Sequence, residues 1–229
     1  MNEKTASERL EQLFGFKNED GLSEAFLSVL EECIRDADEE VRAQAASLLA
    51  LVPADRAEEM LLRGLADESE LVRTEASDAA ECSCSPLVLK RLKELSRTDT
   101  AMIRGYAARS FAKSALSCGE GLDEAVSFLE ESLRLEEDQW VALFFLQALC
   151  LLGRYDCYPP LLLGIDSGES RNRCAALHGI EEVMRPQDRE TTIVKIKERL
   201  RVEDDEAVRS AIDILLSHLE ENGTGTADV

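Results

Sequence analysis

Residues 36–53 read DADEEVRAQAASLLALVP, and the frame they set returns along the chain. Asp36 is followed six positions on by Arg42, with Val41 before it, Ala45 three residues after it, and Leu48 and Leu49 six and seven after it. The same frame stands at Asp67, Val72-Arg73, Ala76 and Ala79-Ala80, and again at Ile103-Arg104, Ala107 and Ser110-Phe111. The markers Arg42, Arg73 and Arg104 are 31 residues apart. Looser copies fit Val141-Ala142 with Phe145 and Ala148-Leu149, then Asn172-Arg173 with Ala176 and Gly179-Ile180, then Val208-Arg209 with Ile212 and Leu215-Leu216; these later steps are 38, 31 and 36 residues. Each period holds two segments with helical apolar spacing. A helix hairpin repeated at such a period predicts an α-solenoid.

The residues Asp36/Val41/Arg42/Ala45 and Asp67/Val72/Arg73/Ala76, with the weaker later copies, resemble HEAT-like repeat proteins, the group that includes the phycobilisome-lyase type. The resemblance runs over roughly residues 21–219. It implies an all-α, right-handed α-solenoid of about six HEAT-like helix-hairpin repeats. It also implies that Asp36, Arg42, Asp67, Arg73, Arg104, Arg173 and Arg209 form a structural ladder linking neighbouring repeats. The second helix of each hairpin, the B helix, would line the concave side. Residues 1–20 are read as an N-terminal capping helix, 21–221 as the repeat array, and 222–229 (NGTGTADV) as a flexible tail.

Local signals place the helices. Each proline, at 53, 86, 159, 160 and 186, lies where a B helix gives way to the next A helix, and proline is tolerated in a first helical turn because no backbone donor is needed there. Ser85-Pro86 is the clearest start, a cap followed by proline. Acidic residues recur between A and B helices, where carboxylates can cap free amides and complement the helix dipole. Residues 191–197 alternate like a strand, but Ile193, Ile196 and Leu200 also fit a helix, and the repeat context decides for helix.

Composition narrows the function classes. Apolar residues make up 45% of the 229, enough for a core, and no run of 18 apolar residues exists, so no membrane span is expected. MNEKTASERLEQ at the start has no apolar signal core, which makes the cytoplasm the expected compartment. The seven cysteines are read as reduced, and Cys82-Ser83-Cys84 as two thiols at a helix end. A net charge of −21 argues against a nucleic-acid groove and an anionic membrane, and is compatible with a basic protein partner as well as with plain solubility.

No constellation for catalysis, metal or cofactor stands out. Neither His178 nor His218 is followed by Glu, so the His-Glu iron ligands of HEAT-like hydroxylases are missing. The clusters Glu130-Glu131, 136–138 and 203–206 lack the ligand spacing of a calcium loop and are read as solvated helix ends. The sharpest feature is the fourth copy, where Ala142 replaces the marker Arg and Trp140, Phe144 and Phe145 crowd the helix. With −1, +3, +6 and +7 buried, positions +2 and +5 should face the groove. The candidate partner-binding residues are therefore Glu75, Asp78, Tyr106, Arg109, Phe144, Gln147 and His178.

The expected function is a non-catalytic, monomeric protein–protein interaction scaffold that binds on the concave B-helix face. An immunity protein neutralising a basic toxin and a lyase-type or other enzyme subunit are the alternatives.

Overall fold

The computed structural model describes residues 5–15 and 23–221. Most of the turn expected around residues 20–23 and the whole tail at 222–229 lie outside the described residues. Within them the chain forms thirteen α-helices and no strand. They are α1 (Ala6–Phe14), α2 (Glu24–Cys33), α3 (Glu39–Leu48), α4 (Ala54–Gly64), α5 (Glu70–Ala79), α6 (Pro86–Thr98), α7 (Ala101–Cys118), α8 (Leu122–Leu135), α9 (Gln139–Leu151), α10 (Tyr158–Leu163), α11 (Ser170–Val183), α12 (Arg189–Leu200) and α13 (Glu206–Glu221). From α2 on they alternate as A and B helices of six hairpins, the α-solenoid class. The stretch that alternates like a strand lies inside α12.

Caps set the boundaries. Asp38 accepts from the amides of Glu40 and Val41, Asp138 from those of Trp140 and Val141, and Asp205 from those of Ala207 and Val208. These three residues sit four places before their markers and satisfy amides that no helical carbonyl reaches. Ser85 caps α6 through the amides of Leu87 and Val88, with Pro86 in the first turn.

Two compact units divide the chain, Met1–Phe128 and Leu129–Val229. In the first, α3 packs on α5 and α5 on α7, and α4 packs on α6. Helix α1 packs on α2 and α3, with Leu13 fully buried and Arg9 paired to Asp36. Phe14, the last residue of α1, is 68% exposed. In the second unit α9 packs on α11 and α11 on α13, around a core that includes Leu143, Tyr158, Leu161, Ile165, Ile180 and Ile196.

The apolar frame accounts for both cores. Every residue at −1, +3, +6 and +7 from the six markers is buried except Leu48, which is half-buried. Position +4 joins them in four copies, as Ala46, Ser77, Ala108 and Leu177. The small residues among these allow close approach. A Cβ on Gly64 of α4 would lie 2.8 Å from Ala76 Cβ of α5. One on Gly164, just past α10, would lie 2.8 Å from Ala176 Cβ of α11 and 2.6 Å from Leu143 Cδ2. Both glycines stand nine residues before their markers, so the same A-to-B contact is made twice.

Candidate functional site

The repeat acids Asp36, Asp67 and Asp99 fall on the turns between A and B helices, and the repeat arginines in the first turns of the B helices. Arg42 donates through Nε and Nη2 to both carboxylate oxygens of Asp67, at 2.8 and 3.0 Å, and through Nη1 to the carbonyls of Asp36 and Ala37. Arg73 repeats this with Asp99, at 2.9 and 2.8 Å, and with the carbonyls of Asp67 and Glu68. Arg173 repeats it with Glu203, at 2.8 Å for both contacts, and with the carbonyls of Ser167 and Gly168. Arg104 and Arg209 donate to the carbonyls of Asp99 and Glu203. Each acid in turn accepts a loop amide: Asp67 from Ser69, Asp99 from Thr100, Glu203 from Asp204 and Asp205. One guanidinium thus holds its own turn closed with one arm and the next turn with the other two nitrogens, a planar fork matched to a carboxylate.

Electrostatics follow from this geometry. Burial alone would raise the Glu203 carboxyl. Arg173, the Asp205 amide and Arg199 outweigh it and hold the group down at about 2. Asp67 and Asp99 are likewise held below the ordinary carboxylate value, against burial, by Arg42 and Arg73 and by the Ser69 and Thr100 amides. Glu203 is therefore no solvated helix end: it is 4% exposed and bonded to two arginines, Arg173 and Arg199.

The fourth copy lacks the arginine, and its rung is rebuilt from other groups. Arg171, two residues before the next marker, reaches back to Asp138 at 3.2 Å. Asn172 donates to Gln139 at 3.0 Å, and Ser167 donates to the same Gln139 at 3.2 Å.

The proposed binding positions behave differently from one another. In the first unit Glu75 is half-buried and makes no hydrogen bond or ion pair among the described residues. Burial, and then the neighbouring Asp78, push its carboxyl above the ordinary value. Asp78 is exposed and pairs with Arg109 at 2.9 Å. Arg109 also reaches Glu81 at 3.3 Å, and Lys113 meets Glu81 at 2.7 Å. The arginine expected as a binding anchor is thus already neutralised inside its own unit. Tyr106 is half-buried on α7.

In the second unit Phe144 is half-buried and leans on Trp140, ring centroids 4.5 Å apart, with Arg171 5.4 Å above the Trp140 ring. His178 is exposed on α11. Gln147 departs from expectation. It is 5% exposed, and its amide donates to Glu182 of α11. The cause lies opposite it: Gly179 presents no side chain, and a Cβ there would stand 3.5 Å from the Gln147 amide.

Two residues outside the sequence-based set belong with Tyr106. Leu71 and Met102 are 46% and 44% exposed in the first turns of α5 and α7. They stand two residues before their markers, four residues before Glu75 and Tyr106, and so share a helix face with them. The signal was present: the same position in the fourth copy is Trp140.

Residues 27–112 match the family model for HEAT repeats. That span, α2 to α7 in large part, is similar to HEAT repeats in sequence and folds as consecutive helix hairpins. No curated protein matches the chain. Among solved structures, the crystal structure of an engineered protein is similar at 19% identity over 85% of this chain and 98% of that one, with a TM-score of 0.41; a likeness at that score carries no argument.

Proposed function

We propose that the chain is a non-catalytic protein-binding scaffold whose partner docks on the face presented by the B helices. The observation that carries this reading is the surface of α5 and α7. Leu71 and Met102 stand well exposed one helical turn before Glu75 and Tyr106, and Glu75 is half-buried and unpaired among the described residues. A free protein gains nothing from apolar side chains in water or from a partly desolvated carboxylate. A partner that brings an apolar anchor and a cation satisfies both. The Trp140–Phe144 pair offers a second aromatic surface in the other unit. Packed hairpins within a unit present a pre-organised surface, which limits the ordering cost on association.

A narrower reading makes the partner a basic toxin and this chain its immunity protein. The net charge of −21, with Glu75 and Asp78 on the B-helix face, supports it. It requires tight, salt-sensitive binding to one basic protein.

The test is affinity capture from the native lysate with four chains: wild type, Met102→Ala/Tyr106→Ala, Trp140→Ala/Phe144→Ala, and Leu87→Ala on the A helix α6 as the control. The expected result is one protein held by the wild type and the control and lost by a B-face variant that melts like the wild type. Retention by both B-face variants contradicts the reading.

A further inference from the structure

Helix α7 is 18 residues long against 10 for α3 and for α5. Its last turns therefore reach past the end of α5 and pack on the 3₁₀ turn Ala80–Cys82 and the connection that follows. Ser114 and Cys118, one helical turn apart on one face of α7, both address the same atom there. Ser114 Oγ donates to the Ser83 carbonyl, and Cys118 Sγ lies 3.8 Å from it. That carbonyl belongs to the peptide plane that ends at the Cys84 Cα. The Cys84 thiol lies near enough to the Cys118 thiol to perturb it.

We propose that Cys84 and Cys118 form a dithiol site that closes to a disulfide by exchange with low-molecular-weight disulfides such as oxidised glutathione. Accessibility and acidity divide the roles. Cys84 is exposed, so a tripeptide disulfide reaches it; Cys118 is only partly exposed. Burial first, then Cys84 and Glu120, push the Cys118 thiol up to about 11. Cys84 is therefore the group that attacks, and Cys118 the group that resolves.

The Cys84 thiolate attacks one sulfur of oxidised glutathione and expels the other half as glutathione thiolate. Cys118 then gives its proton to solvent base as its sulfur attacks the Cys84 sulfur. The Cys84–glutathione bond breaks and a second glutathione leaves. Two protein thiols have lost two electrons, and one glutathione disulfide has become two thiols.

Of the other cysteines, Cys33 and Cys150 are buried, and Cys157 and Cys174 are partly exposed in the second unit. Cys82 is exposed, on the far side of the Ser83 peptide from Cys84. Among the described residues no cluster of three His, Cys, Asp or Glu side chains is placed to hold a metal. Gly119, at φ 70°, ends α7 directly after Cys118 and gives the last turn room to adjust to a disulfide. The closed bond would staple the entry of α6 to the end of α7, restraining the hairpin that carries Met102 and Tyr106. It is independent of what binds that hairpin.

The experiment treats the reduced full-length chain with oxidised glutathione at pH 8, alkylates the remaining thiols and maps peptides by mass spectrometry. Wild type and Cys82→Ser should each yield one cross-linked peptide pair, Cys84 to Cys118. The oxidised chain should melt roughly 5–10 °C above the reduced one. Cys118→Ser should instead accumulate glutathione on Cys84, and Cys118→Ala serves the same purpose should the serine disturb the fold. A Cys82–Cys118 link, a wild type that stops at the glutathione adduct, or thiols that stay unmodified would each overturn the proposal.

Discussion

Arg173 and Glu203 show what a rung contributes. Both side chains are nearly inaccessible, at 6% and 0%. Removing the arginine alone leaves a buried carboxylate with Arg199 as its remaining cation, so Arg173→Met should cost about 3 kcal/mol in urea unfolding. Arg173→Met/Glu203→Leu removes both charges and should recover most of that loss. The pH dependence has a definite sign. The Glu203 carboxyl is depressed in the folded state, from 4.5 to about 2, so its stabilisation is complete above about pH 4.5 and is lost as pH falls toward 2. The double variant should lose less stability than the wild type across that window. Ser110 makes the opposite case. Its hydroxyl is buried with no hydrogen-bond partner among the described residues, so Ser110→Ala should stabilise by about 0.5–1 kcal/mol in the same assay.

At the scale of the element, close helix approach decides which residues fit. Alanine is the better helix former, yet Gly164→Ala would press a methyl onto Leu143 and Ala176. We expect a loss of about 1–3 kcal/mol, read from the denaturant midpoint. The helices themselves were legible in sequence where a cap, a proline and the apolar frame agree: α6 starts at Ser85-Pro86 as expected. Three features were not legible. Gln147 looked exposed because its frame position ignores Gly179 on the neighbouring helix, which is what makes room for it. Glu203 looked like one of four acids at a helix end, and only the approach of Arg173 across the hairpins distinguishes it. Asp99 stands five residues before its marker where Asp36 and Asp67 stand six, so a fixed-register search passes over it, although it closes the rung from Arg73.

For the whole molecule, the docking face proposed on the first unit combines the carboxylate of Glu75 with the exposed Leu71 and Met102. Glu75 gives the clearest separation between stability and binding. Its ionised form is disfavoured in the free protein by burial and by Asp78. Glu75→Gln should therefore raise the melting temperature of the free chain at pH 7 while weakening the captured partner about tenfold or more. A purely structural residue would move both in the same direction. The most direct measurement is hydroxyl-radical footprinting of the chain with and without that partner, because Met102, Tyr106 and Trp140 carry readily oxidised side chains. The account predicts several-fold protection at Met102 and Tyr106 or at Trp140 in the complex, with Leu87 of α6 and Leu163 of α10 oxidised as before. Unchanged oxidation at all three, with protection at Leu87 or Leu163, would place the partner on the A helices and contradict the B-helix reading.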